Sequence, residues 1–287
     1  MLIAAVMSLT GHGINYGIDF AGGLNLQYNM GAAYDKADVE EALKAQGIEE
    51  FVVSSVGSDG TTVQIRVPTL SSEDEVQNLQ NGLESALLEK YPDMDTDNAT
   101  ASYVGPVAGA TLVRNAVFSV LIAAALMLIY IAFRFDLFSG IAAVVGLLHD
   151  VLIMISFMVI LRSVIQMNSS FIAAMLTIVG YSINNTIVIF DRIRENNKKP
   201  ALAGQPRSEI VELSVKESLG RTINTTLTTL VTIVTLYILG VASIREFSLP
   251  IIIGILAGAY SANLINGYVW AALEDARLAR KSQKKVA

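Results

Sequence analysis

The chain has 287 residues, of which 53% are hydrophobic and 16% are charged, and its formal net charge is −6. Soluble domains average about 25% charged residues, so this composition favours a chain that is partly embedded in lipid. Cysteine is absent and His12 and His149 are the only histidines, which excludes disulfide scaffolds and thiolate chemistry. We expect neither a cofactor nor a bound metal.

The charges are divided unevenly along the sequence. Residues 1–111 contain sixteen acidic and four basic side chains, whereas residues 112–287 contain sixteen basic and ten acidic ones. This pattern predicts an acidic, water-exposed domain followed by a hydrophobic region with basic connectors. An acidic domain repels phosphate, so we do not expect the chain to bind nucleic acid.

The first ten residues are mostly apolar but too few to cross a bilayer, which takes about 20 residues. They lack the basic start and the small-residue cleavage site of a signal peptide. We interpret residues 1–10 as the remnant of a first transmembrane helix whose beginning is missing from this sequence.

Residues 11–111 have the pattern of a small α+β domain. Alternating apolar and polar residues indicate strands. Asp35 is the N-cap candidate of the first predicted helix, and Pro92 ends the second. The order βαββαβ is that of the ferredoxin-like fold, which hosts many functions, and we find no catalytic cluster in this domain. The predicted elements are a strand near the end of 17–30, a helix at 35–46, strands at 51–56 and 61–67 joined by a turn at 57–60, a helix at 72–91 and a strand at 99–104.

Five hydrophobic stretches within residues 112–273 are each long enough to cross a bilayer. Their number and their short or basic connectors favour membrane spans over helices buried in a soluble core. We predict transmembrane helices at 112–133, 137–161, 171–190, 222–240 and 247–273.

Basic residues predict the orientation of these helices. The connector at 191–221 contains seven basic residues and the tail at 274–287 contains five, whereas the opposite connectors contain Arg162 and Arg245. Short loops rich in Lys and Arg lie in the cytoplasm. We therefore predict a multi-pass protein of the cell inner membrane, with the 191–221 loop and the C-terminus cytoplasmic and residues 11–111 extracytoplasmic.

Asp150 lies near the middle of the second stretch, where a charge costs at least about 2.5–3.5 kcal/mol on insertion scales. Ionisable groups inside a membrane are functional by default, so Asp150 is an ion-pathway candidate. The alternative is a permanently protonated carboxyl that only joins helices. His149 precedes Asp150 and should face another side of the helix, with either a structural or a proton-relay role.

Other polar residues occupy the third and fourth stretches. Buried amides and hydroxyls need partners in lipid, and a row of hydroxyls on one helix face often serves only helix packing. Arg221, at the mouth of the fourth stretch, is either an ion-pathway group or an anchor that extends to the surface. Asn185 of the third stretch is the remaining ion-pathway candidate beside Asp150 and Arg221. The supporting polar residues are His149, Ser182, Asn184, Thr225 and Thr228, and Thr232 continues the face of Arg221.

Several short motifs occur in a fixed order along nearly the whole chain. They are Gly17-Ile18-Asp19-Phe20-Ala21-Gly22-Gly23, Val104-Gly105-Pro106, His149-Asp150-Val151, Gly180-Tyr181-Ser182-Ile183-Asn184, Asp191-Arg192-Ile193-Arg194-Glu195 and Arg221-Thr222. This ordered set resembles the SecF family, the smaller partner in the SecDF protein-export accessory complex.

The resemblance implies an α-helical polytopic membrane protein, half of a bundle of the resistance-nodulation-division type. It would have six helices, the first truncated here, with a ferredoxin-like domain between the first two. It also implies pairing with SecD, assistance to the SecYEG channel with YajC, unfolded preprotein substrates and use of the proton-motive force rather than enzymatic catalysis. A half-transporter of the same superfamily that exports lipid or small molecules is the main alternative. An intramembrane hydrolase using Asp150 and His149 lacks the expected motifs.

The sequence departs from the family pattern at Asn185, where relatives usually carry an aspartate proposed to lie on the proton pathway. An amide does not titrate near neutral pH and cannot carry a proton in that way. Three options follow: Asp150 titrates, a carboxylate of SecD titrates, or this subunit is a scaffold.

Overall fold

The computed structural model describes residues 1–286 except 12, 57–59, 69, 71 and 163–164. The chain forms two compact units: a sheet domain of residues 15–116 with 166–169, and a helical bundle of residues 1–14, 117–165 and 170–287. The helices are α1 (Leu2–Leu9), α2 (Ile18–Ala21), α3 (Lys36–Ala45), α4 (Glu73–Lys90), α5 (Pro106–Arg134), α6 (Leu137–Ile160), α7 (Ser169–Asn196), α8 (Arg207–Leu239), α9 (Ala242–Ser261) and α10 (Gly267–Val286). The strands are β1 (Gly23–Asn29), β2 (Val52–Val56), β3 (Thr62–Val67) and β4 (Asp95–Val104).

The sheet domain has the predicted ferredoxin-like order. Its four strands are antiparallel neighbours in the order β2-β3-β1-β4, and Leu26 of β1 is opposite Ile65 on one side and Ala101 on the other. The last strand begins at Asp95 rather than at residue 99. The turn predicted at 57–60 lies mostly outside the described residues.

Alternation along the strands explains why this sheet has one apolar face. Leu24, Leu26 and Tyr28 of β1 are buried, and they pack with Leu43 of α3 and Leu83 of α4. Both helices also begin at capping side chains, because Asp35 accepts a hydrogen bond from the Ala37 amide at 3.0 Å and Ser72 accepts one from the Glu75 amide at 3.3 Å.

The bundle confirms the predicted number of membrane helices. Five helices of the described chain are long and apolar enough to cross a membrane: Ala108–Arg134, Leu137–Ile160, Ser169–Asn196, Arg207–Leu239 and Ile244–Arg280. The last contains α9, a π-helical turn at Ala262–Asn266 and α10 in one continuous run. The short α1 packs against α6.

The bundle buries its helices unequally. Half of the most apolar stretch of α7 is inside the chain, compared with 6% for α5 and 11% for α8. Large side chains such as Phe118 and Leu126 of α5 and Leu227 of α8 are more than half exposed. These two helices therefore present wide apolar faces that lipid or another chain must cover.

The prediction that residues 191–221 form a loop is wrong, because most of these residues are helical. Residues 191–196 continue α7 and residues 207–221 form the start of α8, which leaves a connection at 197–206. Likewise, residues 274–286 continue α10. A hydropathy criterion ends a helix at its first charges, whereas Arg, Glu and Lys propagate helices well beyond the apolar segment.

Candidate intramembrane polar site

A buried carboxyl joins three helices of the bundle. Asp150 of α6 is fully buried. Its Oδ2 atom accepts hydrogen bonds from the Ser182 hydroxyl of α7 at 2.6 Å and from the Ser261 hydroxyl of α9 at 2.9 Å. Among the described residues neither Lys nor Arg forms an ion pair with it. The carboxyl is thus held by neutral hydroxyl donors, which can bind either its ionised or its protonated form.

His149 borders this cluster. Its Nδ1 atom lies 3.0 Å from Oδ1 of Asp150, and its ring stacks on Tyr260 with 5.7 Å between ring centroids. Because 23% of the imidazole is exposed, it connects the buried carboxyl to the surface of the chain. The sequence-based expectation that the two side chains face different sides is therefore wrong, because the imidazole nitrogen and the carboxyl oxygen lie within hydrogen-bonding distance.

Glycine permits the close helix contact that this cluster needs. A Cβ atom at Gly258 of α9 would lie 3.1 Å from Cβ of Ser182, tighter than ordinary van der Waals contact. At Gly254, one turn earlier, a Cβ atom would lie 2.5 Å from the side chain of Ile178. Gly254 and Gly258 therefore form a packing seam between α9 and α7.

A second buried polar group lies on the same two helices. Asn266, at the end of the π-helical turn, donates to the Thr186 hydroxyl at 2.8 Å, and Thr186 donates to the Ser182 carbonyl at 3.0 Å. Asn185 is 2% exposed, and its Nδ2 atom has no hydrogen-bond partner among the described residues. The π-helical turn, a feature that is frequent at functional sites, was not predicted from the sequence.

Several predicted residues lie on the outside of the bundle instead. Arg221, Asn184 and Thr228 are exposed, and Thr225 is partly buried. Thr225 and Thr228 donate to carbonyls one turn back on their own helix, those of Arg221 and Asn224. Among the described residues, Arg221 forms neither a hydrogen bond nor an ion pair with Asp150 or Asn185. The structure thus brings Asp150, Ser182 and His149 together, whereas Arg221 and Thr228 lie on the outside of the described bundle.

The interior polar row of α8 was missed by the sequence analysis. Ser214, Ser218, Thr222 and Thr226 recur at every fourth residue and are all buried. The signal was present as an i, i+4 row, but it runs beside the row of Arg221, and the sequence alone does not tell which row faces inward.

Charged residues of the fifth motif join the ends of α7 and α8. Arg192 contacts Glu195 at 2.5 Å and Glu217 at 2.7 Å, and Asn196 donates to the same Glu217 oxygen at 2.7 Å. Asp191 pairs with Arg134 at 3.2 Å. Arg194 makes a hydrogen bond of 3.4 Å to a backbone carbonyl, that of Arg134.

The first motif organises the sheet domain where its two sequence segments meet. Gly17 donates its amide to the Met167 carbonyl at 2.8 Å, and Asp19 accepts the Ser169 amide at 2.7 Å. Gly22 and Gly23 both have positive φ, and a Cβ atom at Gly23 would overlap the Val67 carbonyl. Any other residue at Gly23 is therefore excluded by the backbone as well as by the neighbouring strand.

Metal chemistry has no support in the described part of the chain, where groups of three His, Asp or Glu residues suited to hold an ion do not occur.

Comparison with known proteins identifies relatives over most of the chain. Residues 84–276 match the family described as protein export membrane protein SecD/SecF, C-terminal, and residues 8–30 match the SecD/SecF GG motif. The protein translocase subunit SecF of Rickettsia bellii is 36% identical over 88% of this chain and 81% of its own length. That of Rickettsia typhi is 34% identical over 99% of this chain and 90% of its own length.

Solved structures agree with these relatives. The crystal structure of SecDF, a translocon-associated membrane protein from Thermus thermophilus, matches 96% of this chain at 35% identity with a TM-score of 0.77. SecDF in a super-membrane-facing form matches 99% of it at 32% identity with a TM-score of 0.66. The chain spans about a third of the length of each SecDF chain, 36% and 38%. From the family match, the identity to curated relatives and this fold, the chain belongs to the SecF family of protein translocase subunits of the Sec export system.

Proposed function

We propose that this subunit pairs with SecD and uses the proton-motive force to promote the late translocation of preproteins through SecYEG. The observation that carries the proposal is the Asp150 carboxyl, which is fully buried and linked by hydroxyl hydrogen bonds to α7 and α9. In this arrangement a change of protonation alters the contacts of three helices at once.

The Asp150 carboxyl can be ionised or protonated, and the two forms make different hydrogen bonds. The ionised carboxylate accepts hydrogen bonds from both Ser182 and Ser261. A proton on Oδ2 would make Ser182 or Ser261 accept instead of donate, whereas a proton on Oδ1 would be donated to Nδ1 of His149, so the hydrogen bonds around the carboxyl change with its protonation. One charge moving through 100 mV supplies about 2.3 kcal/mol, enough to bias two packings of a bundle.

Asn185 cannot titrate near neutral pH, because an amide keeps one protonation state. Asp150 is therefore the group that titrates within this chain. The exposed faces of α5 and α8 fit the helices of a SecD partner, because they are apolar and unburied in the chain alone. The exposed Arg221 on α8 would then meet groups of SecD. The basic connectors favour a topology with the sheet domain extracytoplasmic and residues 197–206 and the C-terminus cytoplasmic.

Deletion and complementation test this function. Loss of the subunit should leave precursors stalled at the membrane, and a tagged copy should restore export and co-purify with a SecD chain in detergent. Normal secretion kinetics after a clean deletion would contradict the proposal. Loss of export of one lipid or solute with intact secretion would instead identify a half-transporter.

A further inference from the structure

We propose that the charged end of the bundle binds the headgroup of an anionic phospholipid in a cavity beside the turn between α5 and α6. The cavity has a volume of about 200 Å³. It lies where three predicted spans end in charges, and its walls come from α6, α7, α10 and the α5–α6 turn. The residues that carry the argument are Phe135, Asp136, Phe190, Arg194, Lys198 and Trp270.

Two cations line the cavity without an acidic partner among the described residues. Arg194 lies in the last turn of α7, and Lys198 follows two residues after the helix ends. Both are exposed, and among the described residues neither forms an ion pair with a carboxylate. The neighbouring Arg192, by contrast, is paired with Glu195 and Glu217. Two free positive charges at one cavity favour an anionic ligand.

The carboxylate in the cavity wall is engaged by a helix start and forms no ion pair with either cation. Both oxygens of Asp136 are engaged by Ser139, with the amide at 2.9 Å and the hydroxyl at 2.7 Å. Asp136 is the N-cap of α6, so its charge is directed to the helix amides and their positive dipole end.

The rest of the wall is suited to a lipid. Phe135 and Phe190 contact each other with 6.1 Å between ring centroids, and Trp270 is almost fully buried. Tryptophan, unlike phenylalanine, is enriched at the level of lipid headgroups. Basic sites between helices at the cytoplasmic surface are known to bind anionic headgroups.

A neighbouring apolar groove distinguishes a lipid from a free phosphate. A second cavity of about 250 Å³ flanks the same turn, and all of its lining residues are apolar: Leu128, Ile129, Ala132, Phe133 and Leu137. An amphiphile whose headgroup lies at Arg194 and Lys198 could place an acyl chain along this groove. Inorganic phosphate would leave it unused.

Trp270 gives a direct assay because it is the only tryptophan of the chain. The full chain is reconstituted in vesicles of phosphatidylcholine, and brominated phosphatidylglycerol or brominated phosphatidylcholine is titrated as a quencher of its fluorescence. We expect brominated phosphatidylglycerol to quench at a much lower mole fraction. Each cation near an anionic headgroup contributes about fivefold in affinity, so Arg194→Gln with Lys198→Gln should lower the preference about 25-fold.

The matched control is Lys216→Gln with Arg280→Gln, which removes the same number of charges outside the cavity and should keep the preference. Quenching by brominated phosphatidylcholine reports whether each variant is inserted and folded. An equal response to the two lipids in the unmodified chain would overturn the proposal, and so would a preference that survives in Arg194→Gln with Lys198→Gln. Loss of the preference on adding millimolar inorganic phosphate at constant ionic strength would show a small-anion site and contradict the lipid.

Discussion

Replacing Asp150 separates its packing role from its titrating role. Alanine removes three contacts, those with Ser182, Ser261 and His149. Hydrogen bonds between membrane helices average about 0.6 kcal/mol, so the loss is about 2 kcal/mol before any cavity term. For a chain of this size that lowers the melting temperature by roughly 4–8 °C.

Asparagine, in contrast, can keep all three contacts. Its carbonyl oxygen accepts from both serine hydroxyls, and its amide donates to the imidazole. We therefore expect Asp150→Asn to melt within about 2 °C of the unmodified chain, since less than 1 kcal/mol is lost. Thermal unfolding in detergent, followed by circular dichroism, compares the two variants. Equal melting temperatures for Asp150→Ala and the unmodified chain would refute the inference that this cluster holds the helices together.

Two further predictions concern packing and pH. Gly258→Val should destabilise the bundle by about 1–3 kcal/mol, because its side chain would overlap Ser182. Gly180→Ala should be tolerated, because the added Cβ atom meets no atom within 4 Å. Unfolding in detergent checks both variants, and equal effects would contradict close packing of α9 on α7 at Gly258. The pKa of Asp38 is lowered mainly by a hydrogen bond from Lys90 and next by one from Tyr91. The stability that Asp38 contributes to the sheet domain is therefore present above the ordinary Asp pKa of about 3.9 and is lost as pH falls through the lowered value. Hydrogen exchange of α3 and α4 should therefore accelerate in that acidic range, and Asp38→Asn should remove this step; an unchanged profile in the variant would exclude Asp38 as its cause.

Local rules predicted the sheet domain well. Alternation at Leu24, Leu26 and Tyr28 depends on neighbours two residues apart, and the cap at Asp35 depends on the first turn of its helix. The five spans are likewise a property of local hydropathy. These features need no knowledge of which helices meet.

The site depended on contacts that local rules do not contain. Ser261 and Asp150 are 111 residues apart, and their hydrogen bond follows from how α6 and α9 pack. The same packing turns the row of Ser214 and Thr222 inward and leaves Arg221 exposed, although both rows have helical spacing. Sequence reasoning could identify the polar residues but could not assign them to the interior or the surface of the bundle.

We propose that protonation of Asp150 couples the ion gradient to export. The direct measurement is preprotein translocation into proteoliposomes containing SecYEG, SecD and this subunit, with and without an imposed proton gradient. We expect Asp150→Asn to assemble and to support basal translocation but to lose the increment due to the gradient, whereas Asn184→Ala, on the outer face of α7, should keep it. Full stimulation of Asp150→Asn by the gradient would exclude Asp150 as the coupling group.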